Sequence, residues 1–392
     1  MGSRYVAERA TRMPLSGIRV IFEMVHKMKD VVRLEAGDPD FKTPDHICEA
    51  AKKALDEGYT HYTSSFGMLE LRQALARKLK KDNGIDADPE TEIVVTAGAS
   101  CAVNIAILST IDPGDEVLIP DPSWPHYEAC VALADGVAVH YPLLEKNQFR
   151  ADIEDIRKRI TRKTKMIVVN SPSNPTGGFM EKRDIEAVAE TAKEYNLLVL
   201  SDEVYEKIVY DQLRHISVAS LPDMKERTIT VNSFSKTYAM TGWRLGYAVA
   251  RQEIAEEMAK LNLYSNSCPS SIAQRAGIAA LSGPQDAVVM MAKEYERRRN
   301  EIVKGLNEIE GITCVKPRGA FYAFPNVSSL GMSSQDAAMF ILKEAKVSTV
   351  PGSGFGGYGE GYLRLAYSNS IENIVKALVR IRNAVEKIRI KS

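Results

Sequence analysis

The sequence predicts an α/β protein in two parts: a large, mostly parallel seven-stranded sheet domain with helices on both faces, and a smaller α+β domain. Three observations carry this expectation. Short apolar, β-branched runs recur along the first part, most of them separated by a helical stretch. The runs are apolar throughout rather than alternating, as expected of strands covered on both faces. After about residue 285 the alternation gives way to a long charged helix and then to short strands mixed with helices.

The elements follow in order. Residues 1–45 read as an irregular arm around one helix, Gly17–Lys29, ending in turn chemistry at Gly37-Asp38-Pro39-Asp40. Ile47–Glu57 is a helix closed by Gly58. Leu69–Asp82 is another, with Leu71, Leu75 and Leu79 on one face and Asn83-Gly84 as its stop. The seven strands are Glu92–Thr96, Glu116–Ile119, Val137–Tyr141, Met166–Asn170, Leu197–Ser201, Thr228–Asn232 and Gly246–Ala250. Ala287–Glu310 forms one long helix ending at Gly311. Strands Phe321–Phe324, Ser348–Val350 and Tyr362–Tyr367 then mix with helices Ser334–Ala345 and Ile371–Lys391. The large domain is thus 46–285, and residues 1–45 and 286–392 form the small one, the arm packing back onto the C-terminal part. Arg297-Arg298-Arg299 could suggest a basic patch. With Glu294, Glu296 and Glu301 around them, and Glu294 four residues before Arg298, they read instead as a solvated helix face.

Composition narrows the function. Among 392 residues, Lys+Arg and Asp+Glu are 51 each, so the formal net charge is zero. That removes the electrostatic attraction a nucleic-acid or polybasic membrane-surface binder relies on. The five cysteines, Cys48, Cys101, Cys130, Cys268 and Cys314, are scattered and contain no C-x-x-C pair, which argues against a disulfide framework and a structural zinc. The N-terminal stretch has no apolar signal core, and no uncharged apolar window of about 18 residues occurs. A cytoplasmic protein, with no membrane, nucleic-acid or metal partner, is expected.

Parallel sheets bind ligands at the C-terminal ends of their strands, so the residues after each strand are the candidates. Ala97-Gly98-Ala99-Ser100 leads into an apolar helix, Cys101–Thr110, whose N-terminus can take an anion. Ser171-Pro172-Ser173-Asn174-Pro175-Thr176-Gly177 is a rigid loop able to hold Asn170 and Asn174 as oriented amides. Asp202 closes the next strand, where a buried acid needs a partner such as a cationic ring nitrogen. Ser233-Phe234-Ser235-Lys236 sets two hydroxyls and an amine at one strand end, and Thr241-Gly242-Trp243-Arg244 adds a cation. One motif misleads. Gly352-Ser353-Gly354-Phe355-Gly356-Gly357 matches G-x-G-x-x-G, yet Tyr358-Gly359-Glu360-Gly361 and another strand follow it where a dinucleotide site needs a helix. It reads as a loop joining two strands, and a dehydrogenase is set aside.

Taken together, Asn-x-Pro-x-Asn-Pro-Thr-Gly, Asp-x-x-Tyr, Ser-x-Ser-Lys and Gly-Trp-Arg resemble the fold-type I pyridoxal-phosphate enzymes. Within them they resemble the class I aminotransferases of the bacterial and archaeal aspartate/aromatic type. The resemblance runs from Ala36-Gly37-Asp38-Pro39-Asp40-Phe41 to Leu363-Arg364-Leu365-Ala366-Tyr367. It implies pyridoxal 5'-phosphate as cofactor and Lys236 as its Schiff-base lysine. Asp202 would then hold the ring nitrogen protonated, and Tyr205 and Asn174 would donate to the ring 3-oxygen. Gly98, Ala99, Ser100, Ser233, Ser235 and Arg244 would form the phosphate cup, with Trp124 stacked on the ring. Arg364 would grip the substrate α-carboxylate beside Asn170, Asn174, Trp124 and the Gly37 backbone. Tyr62 would reach the phosphate of a neighbouring subunit, making a homodimer with shared sites.

The activity so implied is ping-pong transfer of an amino group from an aromatic or dicarboxylic L-amino acid to a 2-oxo acid such as 2-oxoglutarate. For the side chain, Asn262–Ile272 has no basic residue but offers Tyr264, and Ser16 and Arg19 in the arm could reach a substrate on closure. Aromatic donors are favoured. An aspartate-specific enzyme, or a C–S lyase or decarboxylase on the same scaffold, stays open as the alternative; the latter two need no 2-oxo acid acceptor.

Overall fold

Strands buried on both faces must find neighbours on both edges, and the apolar runs do so by pairing with one another. The computed structural model describes residues 5–11, 24–25 and 28–389. Its strands are β1 (Val32–Arg33), β2 (Ile93–Thr96), β3 (Glu116–Asp121), β4 (Val137–Pro142), β5 (Thr164–Asn170), β6 (Leu198–Asp202), β7 (Thr228–Ser233) and β8 (Gly246–Val249), followed by β9 (Tyr322–Ala323), β10 (Val347–Ser348), β11 (Val350–Pro351) and β12 (Leu363–Ala366). The large sheet has seven strands in the order β2-β8-β7-β6-β5-β3-β4. Its strands match the seven expected ones to within two residues at either end. Successive side chains point to opposite faces. Val117, Val168, Leu200 and Val231 enter one buried cluster, while Leu118, Ile167, Val169 and Val199 enter another across the sheet.

β3 pairs in parallel with β4 and β5, β5 with β6, and β6 with β7; β8 runs antiparallel between β7 and β2. The reason lies in the connector. Between β7 and β8 the chain forms only the short helix Phe234–Thr237 and the turn Thr241–Trp243, too little helix to carry it back across the sheet for a parallel return. The consequence is functional. Gly246 opens β8 opposite both Thr96 and Ser233, so Arg244 arrives at the edge where the parallel strands end.

Beyond the large sheet, β9, β12 and β11 form an antiparallel three-stranded sheet, and β1 pairs in parallel with β10. The latter pair ties the arm to the C-terminal part. The long helix spans Asp286–Asn307 and the last one Ile371–Arg389. Four expectations are corrected. Strand Ser348–Val350 is broken into β10 and β11, which pair with different partners. Helices Leu69–Asp82 and Ser334–Ala345 each finish in a π-helical turn, Leu79–Asn83 and Ile341–Ala345. Two members of the triple arginine are not solvated: Arg298 is 5% and Arg299 0% exposed, while Arg297 stays on the surface, paired with Glu294. Arg298 bonds Asp40 and Glu294, while Arg299 bonds Asp211 and the Pro317 carbonyl. Tertiary partners brought from far along the chain explain how two cations can be buried there. The helix expected over Gly17–Lys29 lies mostly outside the described residues.

The β2 turn and the start of β8 meet backbone to backbone. A Cβ at Gly246 would lie 2.6 Å from the Gly98 carbonyl carbon and 2.7 Å from the Ala99 nitrogen. Gly246→Ala should therefore cost about 1–3 kcal/mol, read as a lower urea midpoint at unchanged slope. Gly242→Ala, which meets nothing within 4 Å, should stay within about 0.5 kcal/mol of the parent.

Candidate active site

The strand ends open on a cavity of about 400 Å³. Gly37, Ala99, Ser100, Trp124, Asn170, Asn174, Asp202, Tyr205, Ser233, Ser235, Lys236, Arg244 and Arg364 all line it, so the fold gathers these expected residues from across the chain. Gly98 sits just behind the wall as N-cap of the helix Ala99–Leu108, at φ +84. A side chain there would strike the Arg244 guanidinium, 2.5 Å from the built Cβ. Tyr62 is outside the cavity lining and 89% exposed; Tyr264 is 84% exposed and also outside it. Ser16 and Arg19 lie outside the described residues.

One end of the cavity is built for an anion. The helix Ala99–Leu108 presents its first N–H groups, which have no intrahelical acceptor. The Ser233 and Ser235 hydroxyls lie 2.8 Å apart, and the Ser235 N–H donates to Ser233 Oγ at 3.0 Å. Arg244 is held by donation to the Thr241 carbonyl at 2.9 Å.

Lys236 follows in the same short helix and donates to the Gly37 carbonyl at 2.5 Å. Burial pushes its amine down to about 8; Asp38 opposes the shift, while Arg364 and Arg244 add to it. At that value roughly a tenth of the amine is neutral at pH 7.

Asp202 ends β6, fully buried. It accepts from Tyr127 Oη at 2.7 Å and from the Val204 N–H at 3.3 Å. Burial raises its carboxyl to about 6 against these two hydrogen bonds, with Glu203 adding repulsion, and no cation figures among the causes. The turn beyond it is anchored from below. Ser201 and Ser217 donate to Glu203, and the His215 ring nitrogen lies 2.9 Å from it. Glu203, Glu206 and His215 converge closely enough to suggest a metal, but Lys78 and Asn83 already donate to Glu206. The protein's own donors satisfy this cluster.

The Pro-rich loop is positioned by its first asparagine. Asn170 Oδ1 accepts from the Asn174 N–H at 2.9 Å and its amide donates to the Asp202 carbonyl at 3.1 Å, leaving one N–H for a ligand. Asn174 Oδ1 in turn accepts from Arg364 Nη1 at 3.0 Å, which aims the Asn174 amide away from the arginine. Arg364 Nη2 donates to the Glu35 carbonyl at 2.6 Å, and its Nε is buried without a partner. A buried arginine with spare donors is suited to a planar carboxylate.

Sequence reasoning missed Tyr127, Phe355 and Tyr322. Tyr127 had a signal: it sits three residues after Trp124, with the two rings 5.5 Å apart and edge-on. Phe355 belongs to the misleading glycine run, where no helix opens and only short turns precede β12. Asp121 accepts from the Gly357 and Tyr358 N–H groups at 2.9 and 3.1 Å. A Cβ at Gly356, φ +129, would overlap that carboxylate. The glycines thus let the backbone cross Asp121 and deliver the Phe355 ring 4.8 Å from the Arg364 guanidinium.

These residues fit pyridoxal phosphate on the structure's own terms. The buried carboxylate suits a cationic ring nitrogen, the helix N-terminus with its hydroxyls and Arg244 suits a phosphate, and a low-pKa amine lines the same cavity. Asp202 gives a direct check. Its folded carboxyl titrates above the ordinary 3.8, near 6. The folded chain therefore binds this proton more tightly than the unfolded chain, and stability falls as pH rises through about 4 to 6. The cost, about 3 kcal/mol, persists at neutral pH in the ligand-free protein. Asp202→Asn should raise the melting temperature of the ligand-free protein at neutral pH, with the gain fading toward about pH 4. Equal melting at both would mean that Asp202 is not strained.

The chain is similar to known proteins over nearly its whole length. The profile of aminotransferase class I and II matches residues 29–381. An aspartate aminotransferase of Pyrococcus abyssi is 46% identical over 384 residues, 97% of this chain and 98% of that protein. An aromatic-amino-acid aminotransferase of Thermococcus litoralis is 44% identical over 384 residues, 97% of this chain and 98% of that one. Among solved structures, an aromatic aminotransferase from Pyrococcus horikoshii superposes with a TM-score of 0.91 at 46% identity, covering 95% of this chain and 99% of that one. The aspartate aminotransferase of Thermus thermophilus with maleate does so at 0.93 and 38% identity, covering 97% and 100%. With the fold, the cavity and near full-length similarity in agreement, this chain belongs to the class I and II aminotransferases.

Proposed function

We propose that this pyridoxal 5'-phosphate-dependent aminotransferase takes its amino group preferentially from aromatic L-amino acids, with dicarboxylic ones second, and passes it to a 2-oxo acid such as 2-oxoglutarate. The observation that carries the site assignment is the convergence of Lys236, Asp202 and Arg364 on one cavity. The cofactor, when bound, supplies the electron sink that lets an α-proton leave.

The chain's own groups do the rest. Ala99, Ser100, Ser233, Ser235 and Arg244 hold the phosphate, with Gly98 as the small residue that admits Arg244. Asp202 keeps a proton on the ring nitrogen, Tyr205 and Asn174 donate to the ring oxygen, and Trp124 covers the ring. Arg364 binds the substrate carboxylate through its remaining N–H groups, beside Asn170, Asn174, Trp124 and the Gly37 backbone. That grip orients the α-C–H bond. Lys236 Nζ takes the α-proton and returns it to the opposite end of the reacting system, a role suited to its lowered pKa.

Among the described residues lining the cavity, Lys236, Arg244 and Arg364 are the cations, and each has a part already. Among the described residues no further one lines the cavity for a distal carboxylate, whereas Trp124 and Tyr127 offer rings. This supports the aromatic preference. Turnover of phenylalanine or tyrosine against aspartate, at fixed 2-oxoglutarate, tests it; faster turnover of aspartate would reverse the order. Amino-acid consumption without any 2-oxo acid would point to a lyase or decarboxylase.

Tyr62, exposed in the single chain, supports a homodimer in which it serves the partner's site. The division at 46–285 against the two flanking segments belongs to the same reading, with closure between them around the substrate. Five free cysteines are in keeping with a cytoplasmic setting, and no helix of the described residues is long and apolar enough to cross a membrane.

Lys236→Ala should abolish the borohydride-reducible adduct and slow turnover by at least about 10²–10⁴-fold, the usual worth of a general base. A reducible adduct retained in the variant would sink the assignment. Arg364→Ala should lose roughly 2–5 kcal/mol of transition-state stabilisation, seen as a higher KM and a lower kcat. Mixing it with a Tyr62 variant too weak to retain cofactor should restore one intact site per heterodimer. No gain in activity after verified subunit exchange would rule out shared sites.

A further inference from the structure

Tyr322 lines the cavity, yet the chemistry above gives it no part. It opens β9, opposite Ala366 on the strand that carries Arg364. Its side chain touches three parts of the site. Its hydroxyl lies 2.7 Å from the Tyr205 hydroxyl. Its ring lies 4.7 Å from the Arg364 guanidinium carbon. A Cβ on Gly37, whose carbonyl accepts from Lys236, would overlap its hydroxyl. Tyr322 and Tyr205 are both buried, at 2% and 3% exposure.

The proton count of this pair is informative. Each phenol can donate once. Among the described residues, each hydroxyl has the other as its recorded hydrogen-bond partner. If one donates to the other, one proton remains without a protein acceptor. A buried donor needs an acceptor, and the cavity is where one can be supplied. Arg364 points to which proton is left over. Its guanidinium sits over the Tyr322 ring, 4.7 Å from the centroid, and its charge favours proton loss from the Tyr322 phenol against burial. Tyr322 is therefore the better donor of the two, and the Tyr205 proton is the one left over.

We propose that Tyr322 is a positioning residue for both halves of the site: its hydroxyl donates to Tyr205, so that Tyr205 donates to the oxygen of the cofactor ring, and its ring holds the Arg364 guanidinium for the substrate carboxylate. This rests on the reading in which Tyr205 faces that oxygen. Hydrogen bonds in series polarise one another, so the first strengthens the second by roughly 10–30%. The aromatic face contributes through its attraction for the cation.

The test uses the holoenzyme and two readouts other than turnover. The first is the pH midpoint of the bound cofactor's visible absorbance. The second is the Kd of 3-phenylpropionate, a carboxylate with no amino group to react. Tyr205→Phe removes a donor to a ring oxyanion, so the proton is held more tightly and the midpoint rises. Tyr322→Phe should raise it too, by roughly 10–30% of that shift, and should add nothing in the Tyr205→Phe background. It keeps the ring, so the Kd should not change. Tyr322→Leu removes the ring and should weaken 3-phenylpropionate roughly 2- to 30-fold; if Leu does not fold, Tyr322→Met takes its place. A shifted midpoint in Tyr205→Phe beside an unshifted one in Tyr322→Phe overturns the proposal and leaves the Tyr205 assignment standing. An unshifted midpoint in Tyr205→Phe overturns that assignment itself, and the hydroxyl relay with it. Unchanged Kd in the ringless variant overturns the Arg364 half.

Discussion

Asp202 holds a carboxylate at the buried end of a central strand with a phenol and a backbone N–H for company and no cation among its determinants. Much of the site can be understood as the surroundings of that uncompensated charge. Burial lifts its pKa, and pKa values perturbed in this way concentrate at functional sites. Tyr127 keeps one oxygen occupied and so aims the carboxylate. The Glu203, Ser217 and His215 contacts fix the turn beyond it, which carries Tyr205 into the same cavity.

The second constraint is geometric. Ligands of parallel sheets collect at one edge because every strand ends there, and a parallel connection would have carried Arg244 to the other edge. The reversed direction of β8 keeps it close. It also presses Gly246 against Gly98 and Ala99, so the turn that opens the anion-facing helix and the strand that follows the arginine are fitted to each other without side chains between them.

The C-terminal part contributes through aromatic packing around one arginine. Arg364 comes from β12, Tyr322 from its neighbour β9, and Phe355 from a loop held over Asp121 by backbone donors. A buried guanidinium is eased by each hydrogen bond it makes and by rings that cover its faces. Here Asn174 and the Glu35 carbonyl take two of its N–H groups. The same arginine thus links the Pro-rich loop, the arm and the C-terminal sheet around the cavity.

Much of this was legible in the residues themselves. Strand runs are readable because burial on both faces demands continuous apolar sequence, and their ends are readable because Gly98, Asn170, Asp202 and the Ser233–Lys236 segment interrupt them with residues a core does not tolerate. The glycine run around Phe355 could be rejected as a dinucleotide site because a helix start is a local property. What the sequence could not show was decided by contacts between residues far apart. Periodicity reports that a strand is buried but not which way it runs, so the reversal of β8 became visible only with its neighbours in place. Charge patterning treated Arg298 and Arg299 as solvated because Asp40 and Asp211, which neutralise them, lie 258 and 88 residues away. Tyr322 sits in an ordinary apolar strand, and only the folded chain brings its hydroxyl to Tyr205 and its ring to Arg364. The sequence by itself determined which chemical groups the strand ends carry, because local composition sets burial and turns. Tertiary structure alone decided which of those groups meet, because a hydrogen bond depends on distance in space and not on separation along the chain.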